Sequence, residues 1–565
     1  MGKTMIDTQW APPGKGSWQL ESAHFPTPIS PYHAEILTEQ FPRGFAAGTE
    51  RLGILLSHFD HAVVNGFDYI TPRIVGAPEG ANGTPPYPVF KLISLLHPAV
   101  RRRLKSQKTV FERKPWRDDV ALWQQTIRPE SERRHLDLQR FDVVSASDDE
   151  LAEHLEALHA NASQQYYVHH RFTISSLTPV GDYLVKAREW TGLPDGVLMQ
   201  ACRQPEGIAT VARAQFEAVV EALRADRSAQ ELLRTGPHAA ENLAQLAART
   251  DAVGETMRVW LEMTGNRLMT GYDIVDLTAI EMPDLLIRTL LAALDDSQIH
   301  AREETRAALA AKVRAAVPTQ HKAEYEAVLA EALFVGSLRE ERALVCDFWA
   351  YGLVRRAILE AGRRLADRDR IAEPTHLLDA SHSEILELVR GTGGPEAAEL
   401  KDRHAYRITA TADDVPKVLG PEPAPPPPPS WYPVGARRMN AAIDAAVKAI
   451  FDEPVPRTEP KAVHGLPAAA GRYEGTARVI LRPDDFGRIT RGDVLVARMT
   501  TEAYNGIMPL LGAVVTDRGG LLSHTATVAR EFGIPAVVGS STATRLIPDG
   551  ARVVVDGDRG VATLT

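Results

Sequence analysis

The chain has 565 residues, more than one hydrophobic core usually organises, so several domains are expected. Its 44% hydrophobic and 24% charged residues are typical of a globular protein, and its formal net charge of −9 includes no basic stripe that would favour nucleic acid or an anionic membrane as the main partner. Two distant cysteines, Cys202 and Cys346, indicate buried thiols in a reducing compartment. Neither an apolar leader nor an apolar run of membrane-spanning length is apparent, which predicts a cytoplasmic location.

The first two segments are expected to form one large, mainly α-helical domain with an α+β N-terminal part. Residues 1–120 mix prolines, glycines and short apolar runs such as LGILLSHFDHAVV and FDYITPRIV, a texture that predicts strands among helices. Residues 121–412 repeat apolar positions at spacings of three and four, as in DDELAEHLEALHANASQQYYVHH and ENLAQLAARTDAVGETMRVWLEMTG. That spacing predicts amphipathic helices.

A proline-rich boundary follows over residues 413–466. The run GPEPAPPPPPS extends from Gly420 to Ser430, and its nine residues 421–429 would span about 28 Å as a polyproline II spacer. A helical pattern over 436–451 and a second proline-spaced stretch, DEPVPRTEPKAVHGLP, come next. We interpret this segment as a hinge arm that contains one short helix. A disordered spacer with no mechanical role is the alternative.

Residues 467–565 predict a small α/β domain. Short β-branched runs alternate with glycine and proline turns, and DGDRG between the last two runs is typical of a hairpin turn. One helix is expected from Ser523 or His524 to about Phe532, with Gly533 placed to end it.

His524 is the main candidate for a catalytic residue, because it stands between two glycines and the head of this helix. A neutral imidazole is a good nucleophile toward phosphorus near its ordinary pKa of about 6.5. Close backbone approach, hydroxyl groups and the positive end of a helix would favour a phosphate there. The predicted phosphate-binding residues are Gly519, Gly520, Ser523, Thr525 and Arg530. A histidine with a purely structural role is the alternative.

The stretch TDRGGLLSHTATVAREFGIPAVVG resembles the phosphohistidine signature of the phosphoenolpyruvate-utilising enzymes. The segments EGTARVI and DVLVARMTTEAYNGIMPLLGAVVTD resemble the preceding strands of the swivelling domain of that family. The resemblance implies a histidine that receives a phosphoryl group at one site and delivers it at another. His524 is the residue that matches.

Two parts of such enzymes have no counterpart in this sequence. We find neither an ATP-grasp domain nor a pyruvate barrel, and PPGKGSW lacks the spacing of a phosphate-binding loop. A separate ATP-grasp subunit is therefore the implied partner, and it would bind most of the ATP and Mg²⁺. This layout resembles the phenylphosphate and 4-methylphenylphosphate synthases, and rifampin phosphotransferases without their ATP-grasp domain.

The resemblance implies transfer of phosphate from ATP to the hydroxyl of a small phenol such as p-cresol, with AMP and inorganic phosphate as products. Residues 1–412 would then bind the acceptor. A split phosphotransferase for a rifamycin-like antibiotic and a phosphocarrier that acts on a protein acceptor are the alternatives.

Two clusters mix aromatic and titratable side chains as a phenol site would require. SHFDHAVVNGFDY contains His58, Asp60 and His61, and QQYYVHHRFT contains Tyr166, His169 and His170. Three arginines lie in segments that weakly resemble the substrate-binding part of rifampin phosphotransferases, and they are suited to receive phosphoryl oxygens: Arg267, Arg342 and Arg356. Solvated helix faces are the alternative for both clusters and for the arginines. The histidine spacing is not the i, i+4 of a helical zinc site, so no metal site is predicted.

Overall fold

The computed structural model describes residues 9–81, 83–202, 212–235, 238–295, 299–451, 459, 461–481, 483–501, 504–505 and 507–565. The chain forms two compact units, and it passes between them several times. The first unit holds the chain up to Ser176 together with Asn266–Leu277 and Glu341–Asn440. The second unit holds Leu177–Gly265, Thr278–Glu340 and Ala441–Thr565.

Helices supply most of the regular structure. In chain order the α-helices are α1 (Pro31–Leu52), α2 (Tyr87–Leu96), α3 (Pro98–Gln107), α4 (Val110–Arg113), α5 (Pro115–Leu122), α6 (Arg128–Gln139), α7 (Asp148–Arg171), α8 (Thr173–Thr191), α9 (Asp195–Leu198), α10 (Arg213–Ala225), α11 (Arg227–Thr235), α12 (Ala239–Ala248), α13 (Ala252–Thr264), α14 (Pro283–Leu294), α15 (Ile299–Ala316), α16 (Lys322–Phe334), α17 (Gly336–Arg342), α18 (Ala350–Asp367), α19 (His382–Arg390), α20 (Ala397–Thr409), α21 (Val434–Phe451), α22 (His524–Phe532) and α23 (Ala543–Leu546). π-Helical turns at Trp123–Ile127 and Ala343–Trp349 adjoin α6 and α18. None of the helices in the described ranges is both long and apolar enough to cross a membrane.

A small antiparallel sheet belongs to the first unit. Its strands are β1 (Trp18–Leu20), β2 (Leu56–Val64), β3 (Phe67–Ile74) and β4 (Val418–Leu419), in the order β2-β3-β1-β4. Asn65 and Gly66 both have positive φ, at 50° and 82°, so they form the tight turn of the β2–β3 hairpin. The expected mixture of strands and helices before residue 120 is thus observed, and β4 shows that the sheet includes residues of the predicted arm.

Two glycines bring α1 and α7 close together within the first unit. A Cβ at Gly44 would lie 2.4 Å from the carbonyl oxygen of Tyr167, and one at Gly48 would lie 2.5 Å from that of Arg171. Only a residue without a side chain permits this approach. The contact fixes the last turn of α7, which carries two of the candidate histidines, against α1.

An eight-stranded sheet forms the core of the C-terminal domain, which lies in the second unit. Its strands are β5 (Ala462–His464), β6 (Leu466–Ala469), β7 (Arg472–Ile480), β8 (Val494–Ala497), β9 (Ala513–Thr516), β10 (Ala536–Val538), β11 (Arg552–Asp556) and β12 (Val561–Leu564), in the order β5-β12-β11-β7-β8-β9-β10-β6. Strands β7 to β10 pair in parallel, and the remaining pairs are antiparallel. The β11–β12 pair confirms the hairpin predicted at DGDRG.

The proline-rich run belongs to the first unit and contacts other residues of that unit. Thr84 Oγ1 donates a 2.8 Å hydrogen bond to the carbonyl oxygen of Pro425, and the ring of Trp431 lies 5.3 Å from that of Tyr87. The helix expected over 436–451 is observed as α21 and begins two residues earlier. Much of the second proline-spaced stretch, residues 452–458 and 460, lies outside the described residues.

Candidate functional site

His524 is the first residue of α22, as the sequence predicts. Ser523 caps the helix through its Oγ, which accepts a hydrogen bond from the backbone N–H of Ala526. Gly533 ends the helix in the left-handed conformation with a φ of 62°. The imidazole therefore stands at the positive end of the helix dipole, where a phosphate is stabilised.

Thr500 holds the His524 ring. Its Oγ1 lies 2.9 Å from Nδ1 of His524 and 2.9 Å from Oγ1 of Thr525. Both threonines are only 2% exposed, so the hydrogen-bonded chain is shielded from water. Because Nδ1 is engaged, Nε2 is the nitrogen suited to attack phosphorus. Thr525 was predicted to bind phosphate; in the structure it supports Thr500, a residue that sequence reasoning did not select.

The structure requires glycine at each of the two positions before the helix, for a different reason at each position. Gly519 has a φ of 109°, a conformation that other residues rarely adopt. A Cβ at Gly520 would lie 2.4 Å from the carbonyl oxygen of Ala449 and 2.5 Å from that of Ile450. The N–H of Leu522 also donates to the Ala449 carbonyl, at 2.8 Å. Gly520 thus allows the loop to pack on the last turn of α21, a reason that the phosphate interpretation did not include.

Arg530 has a structural role in place of the predicted phosphate contact. Its Nη1 donates to the Ala468 carbonyl at 3.0 Å and its Nη2 to the Leu521 carbonyl at 2.8 Å, and the residue is 5% exposed. Burial, with the nearby positive charge of Arg339, lowers the pKa of Arg530 to about 10. The guanidinium therefore joins α22 to β6 and to the loop that precedes the helix.

Three of the histidine–carboxylate pairs of the first unit lie close to one another. His61 Nδ1 is 2.8 Å from Asp68 Oδ2 and His24 Nδ1 is 3.0 Å from Glu21 Oε1. His169 Nδ1 is 2.6 Å from Asp347 Oδ2. We call these six residues the three-pair cluster. Their mutual electrostatic interactions show that the pairs are close, since Asp68 and Asp347 both act on His24, and His61 acts on Glu21.

Aromatic rings connect the pairs. The ring of Phe41 lies 4.2 Å from that of His61 and 4.1 Å from that of His170. The rings of His169 and His170 are 4.6 Å apart, as are those of Tyr166 and His170. The ring of Tyr272 lies 5.3 Å from that of His24. The cluster thus combines aromatic rings with titratable groups.

The pairs differ in protonation. Desolvation favours neutral His24, but the charge and hydrogen bond of Glu21, together with the charges of Asp68 and Asp347, outweigh it and raise the pKa of the imidazole. Burial lowers the pKa of His169, and the Asp347 charge offsets only part of this effect. Burial likewise lowers the pKa of His170, whose two ring nitrogens are buried and have no hydrogen-bond partner in the described part of the chain. The cluster therefore places a protonation-prone histidine beside neutral ones.

Four predicted acceptor residues join or border this cluster: His61, Tyr166, His169 and His170. Arg342 borders it as well. Its Nη1 donates to the carbonyl oxygen of His169 at 3.1 Å and to Thr173 Oγ1 at 2.7 Å, so its charge stabilises the C-terminal end of α7.

His58 and Asp60 lie on the opposite face of β2 from His61, because side chains alternate along a strand. They hydrogen-bond to each other at 3.1 Å, and Asp60 also pairs with Arg73. The structure thus corrects the prediction that His58, Asp60 and His61 share one site.

Two predicted arginines have other partners. Arg356 donates to the backbone carbonyls of Gln139 and Phe141, at 2.9 and 2.7 Å. Arg267 is buried, with its guanidinium 5.1 Å from the ring centre of Trp349. In the structure Arg356 and Arg267 contact neighbouring helical segments, where the sequence predicted a contact with phosphoryl oxygens.

The carboxylates of the cluster were missed. Glu21 and His24 lie in WQLESAH and Asp347 in ALVCDFW, two stretches in which no site residue is predicted from the sequence. Glu21 and His24 are three residues apart and His61 and Asp68 are seven apart, whereas His169 and Asp347 meet only when two distant helical segments pack. No group of three or more His, Cys, Asp or Glu side chains in the described ranges is arranged to hold a metal ion.

Comparison with known proteins identifies the C-terminal segment. Residues 489–560 match the family model described as "PEP-utilising enzyme, mobile domain". A phosphoenolpyruvate synthase of Aeropyrum pernix is 44% identical over 119 residues, which is 21% of this chain and 14% of that protein. A rifampicin phosphotransferase of Bacillus cereus is 44% identical over 100 residues, 18% of this chain and 11% of that one.

A third relative extends beyond the mobile domain. Chondramide synthase cmdD of Chondromyces crocatus is 31% identical over 300 residues, which is 50% of this chain but 7% of that protein. The similarity to this relative extends over 300 residues, far more than the mobile-domain match, so it includes residues outside 489–560. The chain spans only a small fraction of the length of these relatives, 14% at most among the three.

Proposed function

Since the C-terminal part of this chain is a mobile domain of the PEP-utilising enzymes, we propose that the protein is the histidine-bearing subunit of a two-component phosphotransferase. The observation that carries the proposal is His524 at the start of α22 with Nδ1 held by Thr500. This arrangement orients one nitrogen for attack and provides the helix terminus that stabilises a phosphate.

In the first half-reaction, His524 receives a phosphoryl group. The Nε2 lone pair forms the N–P bond while the bond from phosphorus to the oxygen of the leaving group breaks. The imidazole becomes positively charged as it attacks, and Nδ1–H donates to Thr500 Oγ1, which stabilises that charge.

The donor in this proposal is ATP on a separate ATP-grasp subunit. Mg²⁺ would neutralise phosphate charge during transfer from ATP, and both ATP and Mg²⁺ would be bound mainly by the partner. One water molecule is consumed, and the products are AMP and inorganic phosphate, with one phosphoryl group retained on His524.

In the second half-reaction, movement of the mobile domain delivers the phosphoryl group to a small phenol such as p-cresol. The rings around the three-pair cluster suit an aromatic acceptor, and the cluster supplies groups that exchange protons. The phenol oxygen forms the O–P bond, the N–P bond breaks, and His524 recovers its lone pair.

The test is a paired transfer assay with the full chain. The chain is mixed with ATP, Mg²⁺ and p-cresol, with and without a candidate ATP-grasp protein, and phosphate ester and AMP are followed together. We expect ester only with the partner, at one AMP per ester. His524→Ala should abolish both the label on the chain and the ester. His464→Ala removes a histidine of strand β5 in the same domain and should leave transfer unchanged.

A bulkier acceptor is the second candidate. The similarity to a rifampicin phosphotransferase favours a rifamycin-like antibiotic. Rifampicin replaces p-cresol in a parallel reaction, and turnover with rifampicin alone would decide for this candidate. Label that leaves His524 only for a protein would instead indicate a phosphocarrier, and a chain that never takes label with a competent partner would contradict the whole proposal.

A further inference from the structure

Among the pairs of the three-pair cluster, His169–Asp347 combines a close carboxylate with a partly exposed imidazole ring. Nδ1 of His169 lies 2.6 Å from Oδ2 of Asp347, and the negative charge at that distance favours the tautomer with a proton on Nδ1 and a lone pair on Nε2. The side chain of His169 keeps 13% exposure, so part of the ring is reachable. Asp347 itself is buried.

The other two pairs are less suited to accept a proton. The His61 side chain is only 4% exposed, and its Nε2 is buried. His24 is the most open, at 43%, but Glu21 raises its pKa and so favours a ring that already carries the proton.

The groups that face His169 keep its ring neutral. The positively charged guanidinium of Arg342 donates a hydrogen bond to the carbonyl oxygen of His169. The ring of His170 lies 4.6 Å from the ring of His169. Burial and the Arg342 charge oppose protonation, whereas Asp347 favours it, and the net effect is a lowered pKa. A neutral imidazole oriented by a carboxylate is the arrangement that general-base catalysis uses.

We propose that His169, oriented by Asp347, removes the proton from the acceptor hydroxyl as the phosphoryl group leaves His524. This inference rests on the proposed function and assigns the base for its second half-reaction. The hydroxyl proton moves to Nε2 of His169, the oxygen forms the O–P bond, and the N–P bond breaks with its electron pair returning to His524.

The experiment isolates the second half-reaction. The full chain is phosphorylated on His524 with its partner and then mixed with p-cresol in a single turnover, and loss of phosphohistidine and formation of ester are both followed. His169→Gln should leave phosphorylation of His524 unchanged and slow its discharge to p-cresol roughly 10²- to 10⁴-fold, the usual contribution of a positioned base. Asp347→Asn should slow the same step while leaving phosphorylation intact.

Two comparisons separate a base from a structural role. With 4-nitrophenol, which is ionised at a mildly alkaline assay pH, there is no proton to remove, so wild type and His169→Gln should discharge at rates within a fewfold of each other. His404→Gln alters a matched pair in the same unit, His404 Nδ1 at 2.9 Å from Asp379 Oδ2, and should behave like wild type with both phenols.

Each result that departs from these expectations contradicts a different part of the proposal. Discharge of His169→Gln to p-cresol at the wild-type rate would overturn the assignment, as would an equal loss with both phenols, which would indicate a packing role. A wild-type chain that accepts phosphate on His524 but discharges to neither phenol would overturn the acceptor and this inference while leaving the carrier chemistry. A wild-type chain that takes no label would overturn the proposed function itself.

Discussion

The hydroxyl of Thr500 bonds to Nδ1 of His524 and so orients Nε2 for reaction. It is buried, and it links Nδ1 of His524 to the Thr525 hydroxyl in one hydrogen-bonded chain. Without that link the ring loses its preferred tautomer and orientation. A substitution that removes only the Thr500 hydroxyl therefore tests this role.

We expect Thr500→Val to slow phosphorylation of His524 about tenfold, equivalent to roughly 1.4 kcal/mol in activation free energy. Valine has nearly the same shape but cannot bond to Nδ1. Thr500→Ser keeps a hydroxyl and should recover most of the rate. The measurement is the initial rate of label incorporation with the partner and ATP; equal rates for valine and serine would show that the hydrogen bond does not matter.

Short-range sequence signals predicted the His524 site but not the His169–Asp347 pair. The cap Ser523, the first helical residue His524 and the terminating Gly533 are adjacent in sequence, so their roles follow from short-range rules. The pairing of His169 with Asp347 depends on the packing of two distant helical segments. No periodicity records that contact, so the sequence located the histidine and missed its carboxylate.

At the scale of elements, the glycine that seats the His524 loop on α21 is open to direct test. A Cβ at Gly520 would overlap the carbonyl oxygens of Ala449 and Ile450. Gly520→Ala should therefore lower the free energy of unfolding by about 1–3 kcal/mol, the usual cost of overpacking. Thermal unfolding of the full chain measures the change.

The control for this substitution lies in the same domain. A Cβ at Gly487 would meet only the tip of the Arg288 side chain, 3.9 Å away. Gly487→Ala should leave the midpoint of unfolding nearly unchanged. A Gly520→Ala protein as stable as Gly487→Ala would mean that the loop shifts without cost.

Helix boundaries illustrate what periodicity leaves out. The run ENLAQLAARTDAVGETMRVWLEMTG has one helical pattern, yet α12 ends at Ala248 and α13 begins at Ala252. Asp251 accepts a hydrogen bond from the N–H of Gly254 and so caps the second helix. Asp251 was the one sequence signal for a helix start at this point, and the apolar repeat around it is a stronger signal for one continuous helix.

For the whole molecule, buried neutral histidines predict sensitivity to acid. Burial, with the charge of Arg267, lowers the pKa of His135 to about 3, and burial lowers the pKa values of His154 and His382 to about 4. In the unfolded chain these groups titrate near 6.5. Between that pH and the folded values the unfolded state binds more protons, so the free energy of unfolding falls as pH falls through this window.

The expected observation is a midpoint of unfolding that is flat near pH 7 and declines from about pH 6.5 toward 4.5. His135→Gln removes one of the titrating groups and should flatten the decline. Tryptophan fluorescence is a suitable probe, since the ring of Trp349 lies 5.2 Å from that of His135. Parallel declines for wild type and variant would contradict the assignment of His135 as a neutral core residue.

The seat of the His524 loop on α21 also bears on how this protein can be divided for engineering. The Leu522–Ala449 hydrogen bond and the contact at Gly520 make the last turn of α21 part of the C-terminal fold. A fragment or chimera cut at residue 467 would leave that turn behind and expose the loop backbone. A cut before Ala441 would retain it, and exchange of this module among homologous enzymes should therefore use the earlier junction.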